Sequence, residues 1–145
     1  MKTYLSLLSV LFIMVSCQKD DTVVPRNQGT SSIVMTVGEK DFAIVLAENA
    51  TANAFAEMLP ITITMSELNG NEKYAYLENE LPTDASCPQT IECGDVMLYG
   101  NNCIVVFYKT FKTSYSYTRI GKIKDVQQLQ ESLGTGNIIV KYCKS

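Results

Sequence analysis

Ile33-Val34-Met35-Thr36-Val37-Gly38-Glu39-Lys40-Asp41-Phe42-Ala43-Ile44-Val45-Leu46 is the stretch that decides the fold class. Its first five residues are apolar or β-branched, which suits a pleated, half-buried strand better than a helix. Gly38 to Asp41 supplies a turn, and Phe42, Ile44 and Leu46 then fall on one face of a second strand. A hairpin therefore opens the folded part of the chain. Downstream, Ile61, Ile63 and Met65 alternate with Thr62 and Thr64, again with a period of two. Between these segments Asn49 or Thr51 can cap a helix running to Leu59, with Phe55, Met58 and Leu59 on one side. Pro60 ends that helix, because the residue before a proline is pushed out of the helical region.

The same reading continues to the C-terminus. Glu67 to Pro82 is polar and aromatic, with a turn at Asn69-Gly70-Asn71 and a short strand near Tyr74 to Leu77. After a loop containing Pro88, Val96 to Tyr99 and Cys103 to Tyr108 form two strands joined across Gly100-Asn101-Asn102, and Thr118 to Ile123 forms another. Val126, Leu129 and Leu133 lie at helical spacing after Asp125 as a cap, with Gly134 just past the end. Ile138 to Tyr142 is the final strand. Seven or eight short strands with two helices predict a mainly β fold, an antiparallel barrel or sandwich.

Composition narrows the chemistry. The 145 residues are 46% hydrophobic and include five Phe and eight Tyr, enough for a sizeable core. A formal charge of −3 lacks the electrostatic footprint of nucleic-acid binding. The chain has no histidine, which removes His-based nucleophile triads and His-ligated metal sites, and no tryptophan.

Met1-Lys2 and the apolar run Leu5 to Val15 read as a signal-peptide core too short to span a bilayer. The run closes on Met14-Val15-Ser16-Cys17. A small residue just before such a cysteine resembles the lipobox of bacterial lipoproteins, although Met14 stands where leucine is usual. The resemblance implies cleavage after Ser16 and acylation of Cys17, anchoring the protein to a lipid bilayer of the bacterial cell envelope, at the outer membrane. Gln18-Lys19-Asp20-Asp21 is either a solvated tether or similar to a surface-export signal. Residues 17–32, with Pro25 and Gly29, read as a flexible linker. The expected organisation is a leader over 1–16, a tether over 17–32 and a domain over 33–145.

Several blocks carry a second resemblance. They are Ala54-Phe55-Ala56-Glu57-Met58-Leu59-Pro60, Met65 to Tyr74, Gly94 to Gly100, Phe107 to Phe111 and Ser114 to Gly121. Together they are similar to the small bacterial cyclophilin-like domain family, which implies a closed eight-stranded β-barrel with helices plugging its ends. True cyclophilins isomerise prolyl bonds with an arginine that donates to the proline nitrogen beside an apolar pocket. The matching strand is Ile61 to Met65 or its continuation near Tyr74, and neither segment holds an arginine. Gly121-Lys122-Ile123 matches a family block, but Tyr117 stands where true cyclophilins often carry histidine. The expectation is a monomeric peptide- or ligand-binding module without a catalytic constellation, cofactor or metal. Weak prolyl isomerase or folding-helper activity is one alternative. An accessory role beside a flavodoxin-like redox partner is another, although no flavin-binding loop is visible.

The candidate ligand groove comprises Tyr99, Phe107, Tyr108, Phe111, Tyr115 and Tyr117, with Arg119 as its polar donor. It would take a peptide, a protein segment or a small apolar ligand. Lys109, Lys112, Arg119, Lys122 and Lys124 concentrate in the same region, and the alternatives are a solvated face or an anion-attracting patch. Cys87 and Cys93 flank the Pro88 loop and are expected to form a disulfide, with free thiols as the alternative. Glu67, Glu72, Glu78 and Glu80 lie in loop-like sequence, and Glu92 and Asp95 bracket Cys93-Gly94, with no catalytic pair assigned.

Overall fold

In the computed structural model, which describes residues 31–145, the opening hairpin forms as β1 (Ser32–Val37) and β2 (Lys40–Leu46). The leader, Cys17 and most of the tether lie outside the described residues. The chain continues through α1 (Ala50–Glu57), β3 (Ile61–Leu68), β4 (Glu72–Tyr76), β5 (Thr90–Ile91) and β6 (Asp95–Tyr99). It ends with β7 (Cys103–Phe107), β8 (Phe111–Lys112), β9 (Thr118–Ile123), α2 (Leu129–Leu133) and β10 (Ile138–Lys144). Eight strands close into a barrel in the order β1-β10-β3-β4-β7-β6-β9-β2, every pair antiparallel. Closure leaves no free edge in the barrel. The expected eight-stranded barrel with two short helices is what forms, and β5 and β8 add a small ribbon whose two-residue strands have no periodicity in the sequence.

The period of two builds two apolar layers from single strands. Inside the barrel lie Ile33, Met35, Ile44, Met65, Val96, Leu98, Ile104, Val106 and Val140. Tyr142 packs edge-on to Phe55 with ring centroids 5.4 Å apart, and its hydroxyl donates to Met65 Sδ at 3.3 Å. The alternate residues Met97, Cys103, Val105 and Phe107 point outward and form a second cluster with Ile91 and Tyr117. The β5–β8 ribbon and the Tyr117 segment therefore cover part of one outer barrel face.

Each helix joins strands at one end of the barrel. Asn49 is the cap of α1, its side-chain oxygen accepting from Ala52 N–H at 2.7 Å. Thr51 lies inside the helix, and its hydroxyl donates to the Pro82 carbonyl at 2.6 Å. α1 links the end of β2 to the start of β3, whereas α2 links β9 to β10 at the opposite end. α2 is shorter than its spacing predicts. Gln128 has a left-handed φ of 63° that delays the first turn, so Val126 stays outside the helix and 40% exposed. Asp125 accepts instead from the nearby Gln127 N–H at 2.9 Å. Gly134 ends the helix as expected, with φ 62° and its N–H donating to the Gln130 carbonyl. The Asn69-Gly70 turn also forms, with successive positive φ values of 55° and 65°.

Candidate functional site

The outer face of β4, β7 and β6 carries the groove. Register places Tyr76 beside Cys103, which lies beside Tyr99, and in the next row Tyr74 lies beside Val105, which lies beside Met97. One row further, Glu72 stands between Leu68 of β3 and Phe107 of β7. The β8 segment and the chain from Thr113 to Tyr117 form the opposite wall. The resulting groove has a volume of about 480 Å³, within the range of ligand sites.

Its rings hold one another in place. Phe107 is fully buried and meets Tyr117 edge-on at 5.5 Å and Phe111 at 5.7 Å. Tyr117 in turn lies 5.7 Å from Tyr99, which meets Tyr115 edge-on at 6.1 Å. Tyr74 and Tyr76 form a further edge-on pair at 6.0 Å. Edge-to-face contacts of this kind add stability beyond their buried area, so the wall is rigid. Its rim stays open, with Tyr99 47%, Tyr115 62% and Tyr76 70% exposed.

Of the seven expected groove residues, Tyr99, Phe107, Phe111, Tyr115 and Tyr117 come together. Tyr108 does not. It follows Phe107 in sequence and therefore faces the other way, where its hydroxyl donates to Glu67 Oε1 at 2.5 Å. Arg119 does not line the groove either. Its guanidinium pairs with Asp95 Oδ1 at 3.2 Å, and Lys122 joins the same carboxylate at 3.8 Å while also pairing with Glu92. Tyr74, Tyr76, Val105, Cys103 and Glu72 are groove residues that the sequence reading missed. The alternation Glu72, Tyr74, Tyr76 was the available signal, since it puts three residues on one face of β4.

The basic residues do not form one patch. Lys109 borders a cleft at the α2 end of the barrel, Lys112 borders the groove, and Arg119 and Lys122 are tied to Asp95. Lys124 borders a separate cleft beside Lys40 and Asp41. Cys87 and Cys93 are free thiols in the structure. Cys87 Sγ lies 3.7 Å from the Thr113 carbonyl, whereas Cys93 borders the α2-end cleft, with the β5 strand between the two cysteines. Burial and then the Glu72 charge push the Cys103 thiol up to about 11, so the groove floor holds it as a neutral, unreactive thiol. Burial chiefly, and Glu72 among its neighbours, also raises the Tyr117 hydroxyl. Among the described residues no three Cys, Asp or Glu side chains gather as a metal site.

The α2-end cleft, of about 890 Å³, is bordered by Glu67 and Tyr108. Behind them Lys73 is fully buried, with Nζ 2.5 Å from Glu67 Oε2 and donating to the Gly136 carbonyl at 2.6 Å. Burial opposes ionisation of Glu67, but hydrogen bonds from Lys73 and Tyr108, the ammonium charge and the Gly70 backbone hold its carboxyl below 4.5. This network ties β3, β4 and the approach to β10 together, and its charges are satisfied within the fold.

A family model described as the cyclophilin-like family matches residues 35–142. The solution structure of a hypothetical protein from Archaeoglobus fulgidus is similar in fold, with a TM-score of 0.55 and 19% identity. The similarity covers 83% of this chain and 99% of the archaeal one. No curated protein matches the chain.

Proposed function

The chain belongs to the cyclophilin-like family, and we propose that its barrel is a peptide-binding module whose site is the aromatic groove across β4, β7 and β6. One observation carries this reading. Mutually braced rings stand over a buried apolar floor while three of their tyrosines stay open to solvent. Tyrosine combines rigid apolar area with a hydroxyl that hydrogen-bonds, which suits recognition of an extended chain at low entropic cost. The groove's bordering cation is Lys112. Arg119, the other donor that could polarise a proline nitrogen, is committed to Asp95.

Two-dimensional NMR on the protein with acetyl-Ala-Ala-Pro-Phe amide tests this. Saturable shifts of the groove tyrosines are expected, without faster cis/trans exchange of the peptide. Tyr99→Ala and Tyr115→Ala should each weaken binding about three- to tenfold. Exchange acceleration abolished by Tyr117→Ala would replace the binding reading with an isomerase.

The proposal includes location at the bacterial cell envelope, with acylated Cys17 in the bilayer. Its support is the Leu5–Val15 apolar run ending at Ser16-Cys17. Palmitate labelling in bacterial cells should mark the protein and vanish in Cys17→Ser. Equal labelling of both would overturn the anchor.

A further inference from the structure

Glu72 stands at the head of the groove, on the outward face of β4 between Leu68 and Phe107. It is only 8% exposed, yet it borders the groove itself. The two other carboxylates of the barrel strands that are at least partly buried have cations: Glu67 has Lys73, and Asp95 has Arg119 and Lys122. Among the described residues no ammonium, guanidinium or hydrogen-bond donor meets the side chain of Glu72. Burial and the repulsion of Glu67 both push its carboxyl up from 4.5, and nothing around it favours the charged form. Most of the side chain is buried, but its carboxylate oxygens are not sealed from water, so the acid opens into the groove beside an aromatic wall where a ligand's cation can reach it.

We infer that the groove receives an arginine side chain of an extended peptide, its guanidinium pairing with Glu72 and lying against the surrounding rings. The inference rests on the groove being a binding site. The charge fits, because among the described residues Glu72 is the one carboxylate bordering the groove and pairs with no cation. The surroundings fit as well. Phe111, Tyr74 and Tyr117 border the same space, and aromatic faces attract a desolvated cation. Arginine suits this setting better than lysine, since its planar head stacks on rings and offers paired donors to a carboxylate. Lys112 also borders the groove but makes no ion pair with Glu72, so the acid remains available to a ligand.

Three capped peptides differing at one position decide the matter: acetyl-Ala-Ala-Arg-Ala-Phe amide and its Leu and Glu counterparts. Titration followed by NMR of the groove tyrosines should show the arginine peptide binding at least tenfold more tightly than the leucine peptide, and the glutamate peptide most weakly. Glu72→Gln preserves shape and removes the charge. In that variant the arginine peptide should lose its advantage while the leucine peptide binds within twofold of the parent. A melting transition no lower than the parent's and unchanged leucine-peptide binding would separate loss of charge recognition from loss of fold. Equal binding of all three peptides to the parent protein, or an arginine preference that survives in Glu72→Gln, would overturn the inference and leave the groove proposal standing. Binding of none of them, nor of the proline peptide, would overturn both.

Discussion

Lys73→Met is expected to lower the unfolding free energy by about 3 kcal/mol, the lower end of the cost of breaking a buried ion pair. Lys73 is wholly buried, whereas its partner Glu67 keeps a quarter of its side chain exposed, which is why the lower end applies. Methionine approximates the length of the lysine but not its donors. Glu67 Oε2, a buried oxygen whose close partner is the ammonium, would lose its counter-charge. The Gly136 carbonyl would lose its donor at the same time. Thermal denaturation should show a fall in Tm of more than about 10 °C. The double variant Glu67→Gln, Lys73→Met should recover part of it, because no uncompensated charge then remains. The pH dependence has a definite sign. Glu67 has a folded pKa below 4.5, so its contribution is present above its unfolded value and is lost as pH falls through the lower folded value. Lys73→Met should remove that acid-side loss. A Tm within 2 °C of the parent would show that the network contributes little.

Gly121→Ala should destabilise the barrel by about 1–3 kcal/mol, through overpacking rather than backbone strain. A Cβ on Gly121 would meet the Val45 carbonyl oxygen at 2.5 Å and Ile44 Cγ2 at 2.8 Å. Both belong to β2, the strand paired with β9 at this point, so relief requires the two strands to separate. Gly136→Ala is the matched control, because a Cβ there meets nothing within 4 Å. It should stay within about 0.5 kcal/mol of the parent. Urea denaturation of the two variants checks the contrast, and equal midpoints would dispose of the steric argument.

The elements with clear periodicity were legible in the sequence, and those without it were not. Ile33 to Val37 is a β-branched apolar run, Phe42 to Leu46 and Ile61 to Met65 alternate, and their strands form where expected. The short strand expected near Tyr74 forms as β4 but begins earlier, at Glu72, and β3 runs on to Leu68, because pairing with β7 and with each other satisfies backbones in a polar segment that lacks strand periodicity. β5 and β8 are two residues each and exist through pairing with one another. In the groove, the crowding of aromatics between residues 99 and 117 was visible, but facing was not. Phe107 and Tyr108 are adjacent, and only strand parity sends one into the outer apolar cluster beneath the groove and the other to Glu67. Arg119 read as a free donor because Asp95 lies 24 residues away in the chain.

The sequence by itself determined the strand patterning that makes this a mainly β chain, the ending of the helices ahead of Pro60 and at Gly134, the absence of histidine chemistry, and the residues that carry the cyclophilin-like resemblance. These are local properties, set by the stereochemistry of a residue and its near neighbours. Only the tertiary structure decided that Glu72 lacks a cation while Glu67 has one, and that Tyr74 and Tyr76 face Tyr99 and Tyr117 across β7. Pairing of ions and rings is settled by barrel closure, which brings together residues far apart in the chain and fixes, by parity, the side of the wall on which each one stands.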